Sequence, residues 1–285
     1  MADTYILTLS CMDRPGIVAA VASAIAEHGG NILEAQQFDD LVTGRFFMRV
    51  EFVMHEDREI EEVEARLGKI GADLGLSWTL RPAARRKRVL LLASKFDHCL
   101  ADLMYRWKTG ELAMEPVGIV SNHPREAYAH LDFAGVPFHY LPMAKGEKAA
   151  QEAQIKAVVE ETGAELVVLA RYMQILSDDL AEFLSGRCIN IHHSFLPGFK
   201  GAKPYHQAHE RGVKLIGATA HFVTADLDEG PIIEQDVERV SHRDTPDDLI
   251  RKGRDTERRV LSRAVRAFLE DRVLMNGLTT VVFPA

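Results

Sequence analysis

No apolar run in these 285 residues approaches the roughly 18–20 needed to cross a bilayer. The first residues, Met1-Ala-Asp-Thr-Tyr-Ile6, lack a basic stretch followed by an apolar one, so no signal peptide is expected. Cysteine is scarce. Cys11, Cys99 and Cys188 stand far apart, with no Cys-x-x-Cys and no Cys/His cluster at metal-ligand spacing. A disulfide framework is thereby excluded, and a bound metal is not expected. Free, buried thiols in a reducing cytoplasm are the reading that fits. Positive charge is also short: 34 Lys and Arg face 42 Asp and Glu, a formal net charge of -8. That balance argues against nucleic acid as the main partner. Internal repeats and low-complexity segments are absent.

What remains is ordinary globular material, 47% hydrophobic and 27% charged. Its length suits one large domain or two ordinary ones. Residues 1–82 form a first block. Tyr5 to Leu9 alternates as a strand, and Asp13-Arg-Pro-Gly16 is a turn. Ile17 to His28 reads as a small-residue helix stopped at Gly29-Gly30. Two strands, Asn31 to Phe38 and Arg45 to Met54, flank a hairpin-like segment. Arg58 to Gly71 has Ile60, Val63, Leu67 and Ile70 at helical spacing, and Leu76 to Leu80 closes as a strand. The order βαββαβ is ferredoxin-like. Arg81 to Arg88 is strongly basic, and residues 83–88 read as a solvated linker.

From residue 89 to 285 strands and helices alternate, giving α/β with a Rossmann-like, mainly parallel sheet. Strands are expected at Val89 to Ala93, Val117 to Val120, Pro137 to Leu141, Glu165 to Ala170, Cys188 to His192, Ile216 to Val223, Ile232 to Val237 and Thr280 to Phe283. Helices are expected through Trp107, at Glu126 to Ala134, Glu147 to Glu161, Asp178 to Leu184 and Pro246 to Phe268. Ligands of such sheets bind beyond the C-terminal strand ends.

One strand end carries chemistry. In Cys188-Ile-Asn-Ile-His192, residues two apart share a face, so Asn190 and His192 project together where Ser194, Pro197 and Gly198 open a loop. An amide can donate to a developing oxyanion, and an imidazole can move a proton near neutral pH. His193 is expected to face the other way and is left out. A second stretch, Gly217 to Pro231, ends an apolar strand near His221 to Val223. It then opens a loop with Asp226, Asp228 and Glu229 before Gly230-Pro231. A carboxylate there can orient an imidazole and hold its charged form. Asp226 and Glu229 read as solvated loop charges.

Two resemblances follow from these residues. Leu9-Ser-Cys-Met-Asp-Arg-Pro-Gly-Ile-Val18 with His28-Gly-Gly-Asn-Ile32 resembles an ACT domain, although Met12 stands where Pro is common. The resemblance implies pairing between copies and a small amino-acid effector at Asp13, Arg14, Gly16 and Asn31. Asn190-Ile-His192, Ser194 to Pro197, Gly201 and Leu227-Asp228-Glu229-Gly230-Pro231 resemble the folate-dependent formyltransferase fold over about residues 88–285. That implies a catalytic trio of Asn190, His192 and Asp228. It also implies a folate pocket from Leu169, Met173, Gln174, Ile175 and Leu176, closed by His221, Val223 and Leu227.

Within that fold, Leu92-Ala-Ser-Lys-Phe-Asp-His-Cys-Leu100 lacks the glycines of a phosphate-cradling loop. The whole chain is similar to the formyltetrahydrofolate deformylase family. The similarity implies a cytoplasmic, oligomeric hydrolase that splits 10-formyltetrahydrofolate with water and without a cofactor, and so supplies formate for purine synthesis. Formyl transfer to an unidentified amine and a non-catalytic folate sensor remain as alternatives.

Overall fold

The structure, a computed structural model, describes residues 3–55, 59–144, 146–196 and 204–285. The described residues divide into two units. One comprises 3–86, 270–274 and 281–285, the other 87–269 and 275–280. The C-terminal end, expected to belong wholly with residues 89–285, thus divides between the two units.

The first unit runs β1 (Thr4–Met12), α1 (Ile17–Glu27), β2 (Gly30–Asp40), β3 (Arg45–Met54), α2 (Ile60–Leu74) and β4 (Ser77–Pro82). The four strands form an antiparallel sheet in the order β2-β3-β1-β4. Alternation puts Leu7, Leu9 and Cys11 of β1 on one face. They pack with Ile17, Val21 and Ile25 of α1 and Val63, Leu67 and Ile70 of α2 in one buried cluster. The expected βαββαβ order is the observed one. Arg58, expected to open α2, lies outside the described residues.

The second unit runs β5 (Lys87–Ala93), α3 (His98–Lys108), β6 (Met114–Ser121), β7 (Phe138–Tyr140), α4 (Lys148–Thr162), β8 (Leu166–Leu169), α5 (Asp178–Phe183), β9 (Cys188–His192), α6 (Pro204–Glu210), β10 (Leu215–Phe222), β11 (Ile232–Arg239) and α7 (Pro246–Leu269). A hairpin, β12 (Val273–Asn276) and β13 (Thr279–Val282), follows. Lys87 and Arg88, expected in the linker, are instead the first two residues of β5.

The seven strands lie in the order β11-β10-β9-β8-β5-β6-β7. Pairing is parallel from β9 to β7 and antiparallel where β10 meets β9 and β11. Val89 to Leu92 are wholly buried, as a strand covered on both faces requires. The first strand, β5, has β6 on one side and β8 on the other. The strand order therefore reverses between β5 and β8, the place where such sheets bind ligands. Among the described residues, no helix is long and apolar enough to cross a membrane.

Three elements differ from expectation. Glu126 to Ala134 is not a helix; a single 3₁₀ turn spans Arg125–Tyr128. The Arg125 guanidinium takes the Tyr128 and Leu131 carbonyls that a helix would use, and Ala134 has φ 50°. The Tyr128 hydroxyl instead donates to Ser94 O at 2.7 Å and pairs with Ser121 Oγ at 2.7 Å. The helix α6 and the strand β12 were not expected. Both are short, and α6 has little apolar periodicity beyond Tyr205 and Ala208.

Candidate active site

The strand β9 does what its alternation dictates: Asn190 and His192 project on one side of its C-terminal end. Antiparallel pairing sets Thr219 opposite His192 and His221 opposite Asn190. A bulge at Ala220/His221 interrupts the β10–β11 ladder, and bulges of this kind re-aim side chains. His221 Nδ1 donates to Phe222 O at 2.9 Å, which in the neutral ring leaves Nε2 to accept from Asn190 Nδ2 at 3.3 Å. The second hydrogen of that amide has no partner among the described residues.

The loop after β10 brings in the carboxylate. Gly230 lies so close to the Phe222 backbone that an added Cβ would sit 1.8 Å from Phe222 O. Phe222 N donates to Pro231 O at 2.9 Å, pinning the return of the chain. Asp228 takes a left-handed conformation, φ 58°, which Asp tolerates better than most residues. Its Oδ1 lies 3.2 Å from His192 Nδ1 and 3.7 Å from His221 Nε2. Burial works against the Asp228 charge. The hydrogen bond from His192, with His221 close by, outweighs it and holds the carboxyl well below the usual carboxylate range. His192 Nε2 is buried and has no protein partner among the described residues.

These groups open into a cleft of about 390 Å³. All the expected folate-pocket residues line it: Leu169, Met173, Gln174, Ile175, Leu176, His221, Val223 and Leu227. Met173, Ile175 and Leu227 are 50%, 62% and 54% exposed, which is apolar area open for a ligand to cover. The segment is pinned from the switch point. Met173 N donates to Ser94 Oγ at 3.1 Å, and Ser94 Oγ donates to Asn122 Oδ1 at 2.7 Å. The Ser94 hydroxyl is thus fully engaged within the protein.

Sequence reasoning missed two lining residues of consequence, Arg171 and His193. The expectation for His193 was wrong because β9 ends at His192 and alternation ends with it. The His193 ring folds back and stacks on His192, with centroids 4.8 Å apart and planes at 21°. Arg171 follows β8 at φ 64°, and no local pattern marked it. Asp226, read as a solvated charge, also reaches the cleft. Ser194 and Leu196 are buried beside β9, while Pro197, Gly198 and Gly201 lie outside the described residues.

In the first unit, Gly16 starts α1 at φ 98°, a conformation that suits glycine. Asp13 N donates to Gly44 O, and Arg14 Nη2 donates to Asp73 O at 2.7 Å. Asn31 pairs with Val53 across β2 and β3. Elsewhere, donor atoms of His98, Cys99 and Glu257 converge within 4.8 Å. Glu257 is already engaged there by His98, Tyr205 and the Arg171 guanidinium, so the cation at this point is Arg171.

An antiparallel βαββαβ unit followed by a doubly wound sheet bearing Asn190, His192 and Asp228 at one strand end defines an ACT domain joined to a formyltransferase domain. Family profiles agree: "Formyl transferase" matches residues 87–265 and "ACT domain" matches residues 5–68. A formyltetrahydrofolate deformylase of Synechocystis is 50% identical over 281 residues, covering 98% of each chain. One from Corynebacterium is 48% identical over 279 residues, covering 98% of this chain and 97% of that one. The crystal structure of formyltetrahydrofolate deformylase from Burkholderia mallei superposes with TM-score 0.93 at 53% identity, covering 99% of this chain and all of that one. The chain belongs to the formyltetrahydrofolate deformylase family.

Proposed function

We propose that this chain is an enzyme that hydrolyses 10-formyltetrahydrofolate to formate and tetrahydrofolate. The observation that carries this reading is the convergence of Asn190, His192 and Asp228 at the head of an apolar cleft. Water attacks the formyl carbon on N10. The free Asn190 N–H and protonated His192, through Nε2, stabilise the tetrahedral oxyanion. One such donor is typically worth about 10²–10³ in rate. Asp228 holds the attacking water and His192 and relays the proton of that water to N10, whose protonation releases tetrahydrofolate, because an unprotonated amide nitrogen leaves poorly.

Leu169, Met173, Gln174, Ile175, Leu176, Val223 and Leu227 form the folate walls. His221 orients Asn190 from behind. Water as the acceptor is supported at the switch point, where Ser94 closes onto Met173 and Asn122 and glycine-exposed N–H groups for a substrate phosphate are lacking. The decisive test is formate release by Asn190→Ala and Asp228→Asn. Losses of about 10²-fold or more are expected, and near wild-type rates in either variant would overturn the trio. Formyl transfer outpacing hydrolysis when an amine acceptor is added would favour a transferase instead. Folate binding without formate release would favour a sensor.

The chemistry needs neither a metal nor a second cofactor. The turn Asp13 to Gly16 with Asn31 is the place for a small amino-acid effector, and the first unit is where copies pair. Equilibrium dialysis with glycine and methionine, and sedimentation, test these two statements. The buried, unpaired Cys11, Cys99 and Cys188 suit a cytoplasmic protein. There the released formate serves one-carbon chemistry, including purine synthesis.

A further inference from the structure

Behind His192 lies a charged network that the proposed reaction does not use. Glu257 of α7 is 1% exposed at its side chain. Its carboxylate pairs with His98 Nε2 at 2.7 Å, accepts from the Tyr205 hydroxyl at 2.6 Å and forms an ion pair with Arg171 Nε at 3.3 Å. Burial works against the Glu257 charge, but His98, Arg171 and Tyr205 hold the carboxyl below its ordinary value. Arg171, 10% exposed, is thereby fixed on one side. On its other side, Nη1 lies 2.8 Å from His193 Nδ1.

The chemistry of that contact is one-directional. A guanidinium has five N–H donors and no acceptor, so His193 Nδ1 must present its lone pair. His193 is then neutral and carries its proton on Nε2, a buried atom with no protein partner among the described residues. Its ring lies 4.8 Å from that of His192. Two imidazolium rings at that separation repel, and a coupled pair titrates as a unit unless something breaks its symmetry. Arg171 breaks it.

We infer that Arg171, anchored by Glu257, is a positioning residue that keeps His193 neutral and thereby leaves the proton of the stacked pair to His192. The groups facing His193 are Arg171 from the turn after β8, His192 from β9, Asp228 from the loop after β10, Tyr205 from α6 and Glu257 from α7. Burial comes first, then the Arg171 charge and His192, in pushing the His193 imidazole down to about 4, against the weaker pull of Glu257 and Asp228. Arg171 also sits at φ 64°, a conformation costly for a non-glycine residue and kept only where the surroundings enforce it. Its side chain is therefore delivered to this spot by the fold.

The inference rests on the proposed role of protonated His192, but its first test does not depend on activity. Imidazole ¹⁵N spectra of the wild-type protein report tautomer and titration for each ring. His193 is expected with its proton on Nε2 and no ionisation between pH 5.5 and 8, a window set by the direction of its shift from about 6.5. An Nδ1–H tautomer, or titration near the ordinary value, overturns the inference whatever the trio variants show. In Arg171→Met, His193 is expected to titrate higher than in wild type, yet still below its ordinary value because burial remains. The kcat profile should then gain an ionisation, falling relative to wild type by about tenfold as pH drops through the raised His193 value. In the double variant R171M/H193N that added ionisation disappears, a result that mere loosening of the fold would not produce. An R171M profile parallel to wild type also overturns the inference. Should R171M fail to fold, the wild-type spectra alone decide.

Discussion

The Asn190 amide nitrogen lies 3.3 Å from His221 Nε2, and the opposite nitrogen of that ring is committed to the Phe222 carbonyl at 2.9 Å. In the neutral ring, a proton on Nδ1 leaves the Nε2 lone pair to accept from the amide of Asn190. The amide N–H₂ is turned inward, with one hydrogen spent on orientation and one left for a substrate oxygen.

His221→Phe is expected to lower kcat for formate release by about 10²-fold, at the low end of what losing an oxyanion donor costs. KM should change less than kcat, since His221 lines the cleft but is only 2% exposed and acts through Asn190. His221→Gln, whose side-chain oxygen can accept from the amide, should recover part of the loss. Equal kcat in the two variants would show that the Asn190–His221 bond does not matter.

Ser94→Ala removes the acceptor of the Met173 N–H. A buried donor left unpaired costs about 1–3 kcal/mol, and here the cost falls on the segment that walls the folate pocket. KM for 10-formyltetrahydrofolate should rise more than kcat falls. A change confined to kcat would place Ser94 in the chemistry instead.

Gly230→Ala places a Cβ against Phe222 O, which cannot move without breaking the β10 edge. Overpacking of this kind costs about 1–3 kcal/mol. The loop carrying Asp228 should shift, so both Tm and kcat should drop. A drop in Tm with kcat intact would show that Asp228 does not depend on this turn.

The Asp228 carboxyl is held below its unfolded value of about 3.9. With the folded value depressed, its contribution to stability is present at neutral pH and is lost as pH falls below about 4. Urea unfolding of wild type and Asp228→Asn should therefore differ most near pH 7, and the gap should narrow toward pH 3. A gap that stays constant over that range would mean that the His192 contact adds no net stability.

Much of this molecule was legible in the sequence because its signals are local. Alternation in β1 and β9, apolar runs in β5 and β8, and the breakers Gly16 and Gly29-Gly30 act within a few residues. They set the βαββαβ order and the parallel sheet. Asn190 and His192 were readable as a pair because two residues apart in a strand means one face. The expected helix at Glu126 to Ala134 failed because Arg125 and Tyr128 spend their polar groups on partners that propensity does not count.

Only the tertiary structure decided the rest. Asp228 meets His192 across 36 residues of chain because β10 runs antiparallel beside β9, and because Gly230 lets the following loop close on Phe222. Arg171, His193 and Glu257 look unremarkable along the chain and share no spacing. They become one network because the middle of α7 passes beside the ends of β8 and β9. Sequence fixes which groups a chain can offer; the distances that make a lone pair face a guanidinium, or an imidazole lie on its neighbour, exist only once the strands have paired.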